Sequence, residues 1–354
     1  MQRLVNVYRG DRVESVHSGS IAVVDAHGRL VAYAGDPDTR TYLRSAAKPF
    51  QVLPLLREGG REQFELTEEE IALICASHGG EPFHVATAAA ILRKGEFDET
   101  DLRCGPHLPY EERAASELRQ SGEVPTPLHN NCSGKHAGML LFCELLDLPT
   151  SSYLERDHPL QIDIVNVLSE FCRLEPEEIA TAIDGCGVPT FYLSLYRAAL
   201  AYARFGATAL GMDEPASIPD FVDHARAVMS AMTGHAEYVA GAHSITTPLM
   251  QSFDGEVLGK EGAEAFYGMT ILPSLGRAGA RPELFESGPL GVALKVADGT
   301  SPRGRDPVIV ETLRQLGIDP RERPLLRPYI EPVVLNAAGR EVGRVRAEFN
   351  LTVL

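Results

Sequence analysis

SIAVVDAHGRLVAYAGDPDTRTYLRSAAKPFQVLPLL, Ser20–Leu56, changes its periodicity part-way along, and that change decides the fold class. The first half is two β-rich runs, SIAVVD and RLVAYAG, joined by the hairpin signal Asp25-Ala26-His27-Gly28. From Ser45 onward the apolar residues recur at helical spacing, which predicts a helix over Ser45–Leu56. Upstream, LVNVY (Leu4–Tyr8) and RVESV (Arg12–Val16) also read as strands. The C-terminus repeats this character in YIEPVVLN (Tyr329–Asn336), a turn at Ala337-Ala338-Gly339, and REVGRVRAEFNLTV (Arg340–Val353).

Between these ends the pattern is mostly helical, with helices predicted over Thr67–Cys75, Pro82–Leu92, Gly134–Leu146, Leu160–Phe171, Thr190–Ala203, Ile218–Met232 and Asp306–Leu316. Strand-like runs return at Ser252–Gly259, Ala265–Ile271 and Leu290–Val296. No linker, repeat or low-complexity segment divides the chain. The expectation is one two-lobed α+β domain over 1–354: a sheet lobe from about 1–44 and 245–354, and a helical lobe over about 45–244. A functional site at the junction of the lobes follows from that layout.

Of 33 basic residues, 28 are Arg and only 5 are Lys: Lys48, Lys94, Lys135, Lys260 and Lys295. The two cations are interchangeable for surface solvation. They differ where an amine must give up its proton, because a buried ammonium can become neutral and a guanidinium effectively cannot. Lysines retained in an Arg-rich chain are therefore candidates for a general base, a nucleophile or a ligand. The net charge of −16 disfavours nucleic acid and anionic membrane surfaces. The absence of Trp argues against a stacking platform. The N-terminus has no signal-peptide core and no run approaches a membrane span. Six scattered cysteines suggest a reduced, cytoplasmic protein.

Five constellations could carry chemistry. Arg44-Ser45-Ala46-Ala47-Lys48-Pro49-Phe50 is a Ser-x-x-Lys at a helix start, where residues three apart share a face and an amine can take the hydroxyl proton. This is where the serine β-lactamase and penicillin-binding fold carries its nucleophile. Cys75-Ala76-Ser77-His78-Gly79-Gly80 reads first as a tight turn between helices, with N–H donors for an oxyanion as the alternative. Asn130-Asn131-Cys132-Ser133-Gly134-Lys135-His136 is rich in polar groups on a loop and first helical turn. Asp184-Gly185-Cys186-Gly187-Val188-Pro189 reads as a helix connection, or as the completion of a metal site with Cys132. Leu258-Gly259-Lys260-Glu261-Gly262 ends a strand-like run. Lys94 closes a helix, Lys295 reads as the polar face of a strand, and among His78, His84, His129, His136, His235 and His243 no pair has zinc-motif spacing.

In this order and at very similar spacing, these five motifs resemble the rhizobial-type (class 3) L-asparaginases, also called asparaginase II, over essentially the whole chain. The resemblance implies a serine β-lactamase/glutaminase-like α+β fold, with an antiparallel sheet built from N- and C-terminal strands beside a helical lobe. It implies a homodimer, hydrolysis of L-asparagine to L-aspartate and ammonia, and two serine–lysine pairs, here Ser45 with Lys48 and Ser77 with Lys260. It also implies a zinc ion, held here by Cys132, Lys135 and Cys186 with Asp184 close by, that aids substrate binding more than bond cleavage. On this reading Ser45 is the first choice for acylation and Ser77 its rival. Arg44, Lys135 and His136 would meet the substrate carboxylate and Asp184 its ammonium. The alternatives are a glutaminase, a β-lactamase or a D-Ala-D-Ala peptidase of the same fold, a non-catalytic amino-acid-binding protein, and a zinc-hydroxide amidase.

Overall fold

The computed structural model describes residues 1–242 and 244–354; His243 lies outside the described residues. Its main sheet has nine strands and antiparallel pairing throughout. The strands are β1 (Gln2–Arg9), β2 (Arg12–Asp25), β3 (Leu30–Ala34), β7 (Val257–Gly262), β8 (Phe266–Ile271), β9 (Leu290–Val296), β10 (Val333–Leu335), β11 (Glu341–Ala347) and β12 (Thr352–Val353). A smaller sheet joins β4 (Arg40–Tyr42), β6 (Pro189–Ser194) and β5 (Ala180–Ile183). In the main sheet the order is β10-β11-β1-β2-β9-β8-β7, with β3 pairing β2 and β12. The two chain ends meet, as Val5 faces Ala347 and Val7 faces Val345.

RVESV and SIAVVD form one 14-residue strand rather than two. Its first half pairs with β1 and its second half with β9 and β3. The side-chain period of two then divides the interior. Ala22 and Val24 join a core shared with the helical body, whereas Ile21 and Val23 join the core on the opposite face, with Val308, Ile309 and Leu313 of the helix Asp306–Gln315. Helix Leu195–Leu210 lies against the sheet, and a Cβ on Gly291 would come within 1.8 Å of Ala199 O, so this close approach requires glycine.

Asp184–Pro189, predicted as a helix connection, is the turn between the paired strands β5 and β6, and three further predicted elements differ from those observed. Thr190–Ala203 is not one helix: Pro189–Ser194 is a strand, and the helix begins at Leu195 with the Ser194 Oγ accepting from Arg197 N at 3.3 Å. The Thr-Phe-Tyr-Leu run has the β-branched and aromatic side chains that favour the pleated surface. Ser252–Gly259 is a turn and then a strand that starts at Val257. Ser45–Leu56 is broken by Pro49 and Pro54 into a 3₁₀ turn, Arg44–Ala47, and the short helices Lys48–Gln51 and Leu53–Arg57.

Candidate active site

The turn Arg44–Ala47 is held from several sides. Tyr202 Oη donates to Ala46 O at 2.7 Å. Phe50 packs edge-on against Phe171, Tyr202 and Phe205 with ring centroids 5.3, 5.4 and 5.5 Å away. A Cβ on Gly262 would lie 2.4 Å from Leu43 O, so β7 can approach this turn only with glycine there. Arg44 has φ of +51°, a left-handed conformation that costs about 1 kcal/mol for a non-glycine residue. Its Nε donates to Asp184 Oδ1 at 2.6 Å.

The packing drives Lys48 inward, where it is 1% exposed. Its Nζ donates to Ala76 O and lies 3.1 Å from Ser77 Oγ and 3.5 Å from Asn131 O. Lys260, fully buried on β7, has its Nζ 2.9 Å from the same Ser77 Oγ and donates to Glu261 O at 3.1 Å. One buried hydroxyl therefore bridges two amines. Of the expected pairs, Ser77 with Lys260 is in hydrogen-bond contact. Lys48 bonds to Ser77 and has no hydrogen bond to Ser45, because its long stem carries Nζ past its own turn to the loop after helix Glu68–Ile74. Ser45 and Ser77 both line one cavity of about 420 Å³, together with Tyr110, Asn131, Ser244 and Glu261.

Two amines this close inside the protein cannot both be cations at low cost. Burial pushes Lys260 down to about 7; Glu261 opposes this and Lys48 adds to it. A neutral Lys260 is the form that can accept a proton. If it serves the reaction, kcat/KM is held above pH 7 and falls as pH drops through about 7, which a pH–rate profile of the free enzyme checks.

The loop Cys75–Gly80, read first as a tight turn, carries this bridging hydroxyl. Its N–H groups are less available as oxyanion donors, since Ser77 N donates to Val239 O at 2.8 Å and His78 N to Asn131 O at 3.3 Å. His78 is structural, with Nε2 2.9 Å from Ser133 Oγ.

Beside this lies a thiol cluster. Lys135, in the first turn of helix Ser133–Leu145, donates to Cys186 Sγ at 3.0 Å. Cys186 is held well below the usual thiol range by a hydrogen bond from Cys132, against burial and with help from Lys135. Cys132 is pushed up by the same bond and by burial, so the pair shares one proton. Against burial, Cys186 and Cys132 raise Lys135, which stands as the ammonium partner of a thiolate. Asp184 is held low by Lys135 and Arg44 despite burial. His136 is fully buried and neutral, its Nδ1 2.8 Å from Tyr153 Oη and its Nε2 without a hydrogen-bond partner. Among the described residues no group of three or more His, Cys, Asp and Glu is arranged to hold a metal. Two thiols in mutual contact plus an amine form a soft donor set that fits zinc once Lys135 loses its proton.

The family model for L-asparaginase II matches residues 5–347. The chain belongs to the L-asparaginase II family. No curated protein matches it. The solved structures similar to this asparaginase II family member include Mglu in its native form, at 16% identity, 84% coverage of this chain and a TM-score of 0.42. The chain spans 64% of the length of that structure. A probable glutaminase, ybaS, matches at 15% identity over 85% of this chain and 86% of its own, with a TM-score of 0.40. A Bacillus glutaminase solved in 4.3 M NaCl matches at 12% identity over 85% and 91%, with a TM-score of 0.38.

Sequence reading missed several groups in this family member's site. Arg305 and Asp306 line the cavity, yet they read as a loop and the start of a helix because nothing in their spacing marks them. Ser244 also lines the cavity and belongs to no motif, and Glu261 stands in the sequence only as the neighbour of Lys260. Lys94 and Lys295 donate to the backbone oxygens of Glu65 and Glu264, in keeping with structural roles.

Proposed function

We propose that this protein is an L-asparagine amidohydrolase of serine β-lactamase/glutaminase type, working through a serine acyl-enzyme activated by lysine. The observation that carries the reading is the buried Lys48–Ser77–Lys260 bridge beneath a cavity that Ser45 also lines. Ser45 Oγ attacks the side-chain amide carbon and its proton passes to the Lys48 amine. The C–N bond breaks as Ser77 protonates the leaving nitrogen, and Ser77 regains its proton from the flanking amines. Water then cleaves the ester, giving aspartate and regenerating Ser45. Hydrogen bonds of this kind are often long before substrate binds, and the Ser45–Lys48 contact forms in the substrate complex. The two amine contacts to Ser77 favour a second reading in which Ser77 itself is acylated.

Cys132, Cys186 and Lys135 would hold a zinc ion, which would supply a Lewis-acidic contact for the substrate without taking part in the bond cleavage. Arg44 and Asp184 pair through Nε and Oδ1, which leaves further donors on the guanidinium and acceptor sites on the carboxylate to meet the substrate's charged groups. His136 would offer its unpartnered Nε2. A homodimer in a cytoplasmic setting completes the proposal; no described helix is long and apolar enough to cross a membrane.

An ammonia-release assay on asparagine and glutamine, with and without a zinc chelator, tests the reading. Asparagine should give aspartate and ammonia faster than glutamine gives glutamate. The chelator should raise KM and leave kcat within a few fold. Faster glutamate release would make it a glutaminase. Calorimetric binding of asparagine with no ammonia would make it a binding protein. A chelator that abolishes turnover while Ser45→Ala remains active would favour zinc hydroxide.

A further inference from the structure

Lys260 and Glu261 are neighbours at the end of β7; their side chains leave the strand towards opposite faces, yet the Glu261 carboxylate stays near enough to act on the Lys260 amine through its charge. An opposite charge at this range favours the ammonium form, which cannot accept a proton from serine. Glu261 does not act alone, however. Arg305, 4% exposed and at the end of the turn Ser301–Arg305, has Nη1 3.1 Å from Glu261 Oε2. Its Nη2 and Nε each lie 2.8 Å from Asp306 Oδ1, and its guanidinium sits over the Tyr267 ring at 5.7 Å. Ser244 Oγ donates to the same Glu261 oxygen at 3.0 Å. Burying a guanidinium and two carboxylates is costly, and Arg305 cannot neutralise itself by losing a proton. The arrangement is therefore expected to do something for the site.

We propose that Arg305 is a positioning residue that cancels the charge of Glu261 and so leaves Lys260 in the uncharged form able to serve Ser77. The proposal rests on the serine–lysine reading above. Among the described residues, the groups that face Lys260 are Ser77 and Cys75 from the loop after helix Glu68–Ile74, Lys48 from the first short helix, Cys132 from the start of helix Ser133–Leu145, Glu261 from its own strand, and Arg305. Burial, Lys48 and the Arg305 guanidinium favour the neutral amine; Glu261 and Cys132 favour the ammonium. Asp306, which burial pushes up to about 6 against the pull of Arg305, is the second carboxylate on that guanidinium.

The scarcity of lysine makes a direct test practical. With ¹³C,¹⁵N-lysine, the full chain gives five side-chain signals, and that of Lys260 is assigned by its loss in Lys260→Met. Its titration midpoint is then followed against pH without relying on turnover. Arg305→Gln should raise the midpoint by roughly one to two units, and Arg305→Lys should restore it. Glu261→Gln should lower it, and the double variant should return it close to wild type. The acid limb of the Arg305→Gln pH–rate profile should move up by the same amount. An unmoved midpoint in Arg305→Gln with a raised KM would overturn the proposal and make Arg305 a substrate contact. If Arg305→Gln does not fold, Glu261→Gln decides, and an unmoved midpoint there overturns the proposal equally. Absence of ammonia release in wild type would sink the asparaginase reading while leaving the lysine titration interpretable.

Discussion

Lys48→Arg is expected to lower kcat on asparagine by about 10³-fold, within the range for loss of a positioned general base. The substitution keeps the charge and most of the buried stem, and removes the ability to become neutral. Lys48 is 1% exposed, with its Nζ among Ala76 O, Ser77 Oγ and Asn131 O, so its loss acts inside the site rather than at the surface. The larger guanidinium must fit the same space, and a thermal melt alongside the kinetics separates a folding defect from a chemical one. A folded Lys48→Arg protein with wild-type turnover would remove lysine from the mechanism.

Ser45→Ala should be more damaging, with a loss of about 10⁴-fold or more in kcat, because no covalent intermediate can form without the nucleophile. Ser77→Ala should cost about 10²- to 10³-fold, as expected for interrupted proton transfer with acylation still possible. The order of these two losses is the informative quantity. If Ser77→Ala is the more severe, then the hydroxyl that bridges both amines is the nucleophile, and Ser45 is a cavity-wall residue. Both variants remove one hydroxyl. Both serines line the cavity, but Ser77 is 5% exposed and its hydroxyl accepts from two buried amines, so a small stability loss is more expected at Ser77.

Much of this architecture was legible from periodicity. The strand pairs at the two chain ends meet because both carry a period of two with one face to bury. The helices Pro82–Lys94 and Pro159–Cys172 fall close to where spacings of three and four place them. The failures have local causes. Pro189–Ser194 has alanines and leucines downstream that extend a helical pattern backward over a strand. The short helix Glu112–Ser121 was missed because only Ala114, Ala115 and Leu118 are buried, too few to stand out in a polar segment. In the site, the excess of arginine over lysine marks all five lysines as candidates, and the structure buries three of them, Lys48, Lys135 and Lys260. Which hydroxyl each amine reaches depends on side-chain length and tertiary packing, and Ser-x-x-Lys spacing alone does not encode that. Arg305 was invisible for the opposite reason, since one arginine among 28 carries no signal until its partners Glu261 and Asp306 come together in space.

Acid-quenching the protein during turnover of asparagine or a slow β-hydroxamate analogue, followed by intact-mass analysis and peptide mapping, tests the serine–lysine chemistry most directly. The expected result is a single adduct with the mass of one aspartyl group on the peptide containing Ser45, absent from Ser45→Ala and accumulating in a variant slow to deacylate. An adduct on the Ser77 peptide would transfer the nucleophile's role to Ser77. Rapid ammonia release with no adduct on either serine, under conditions that trap acyl esters, would contradict the covalent mechanism.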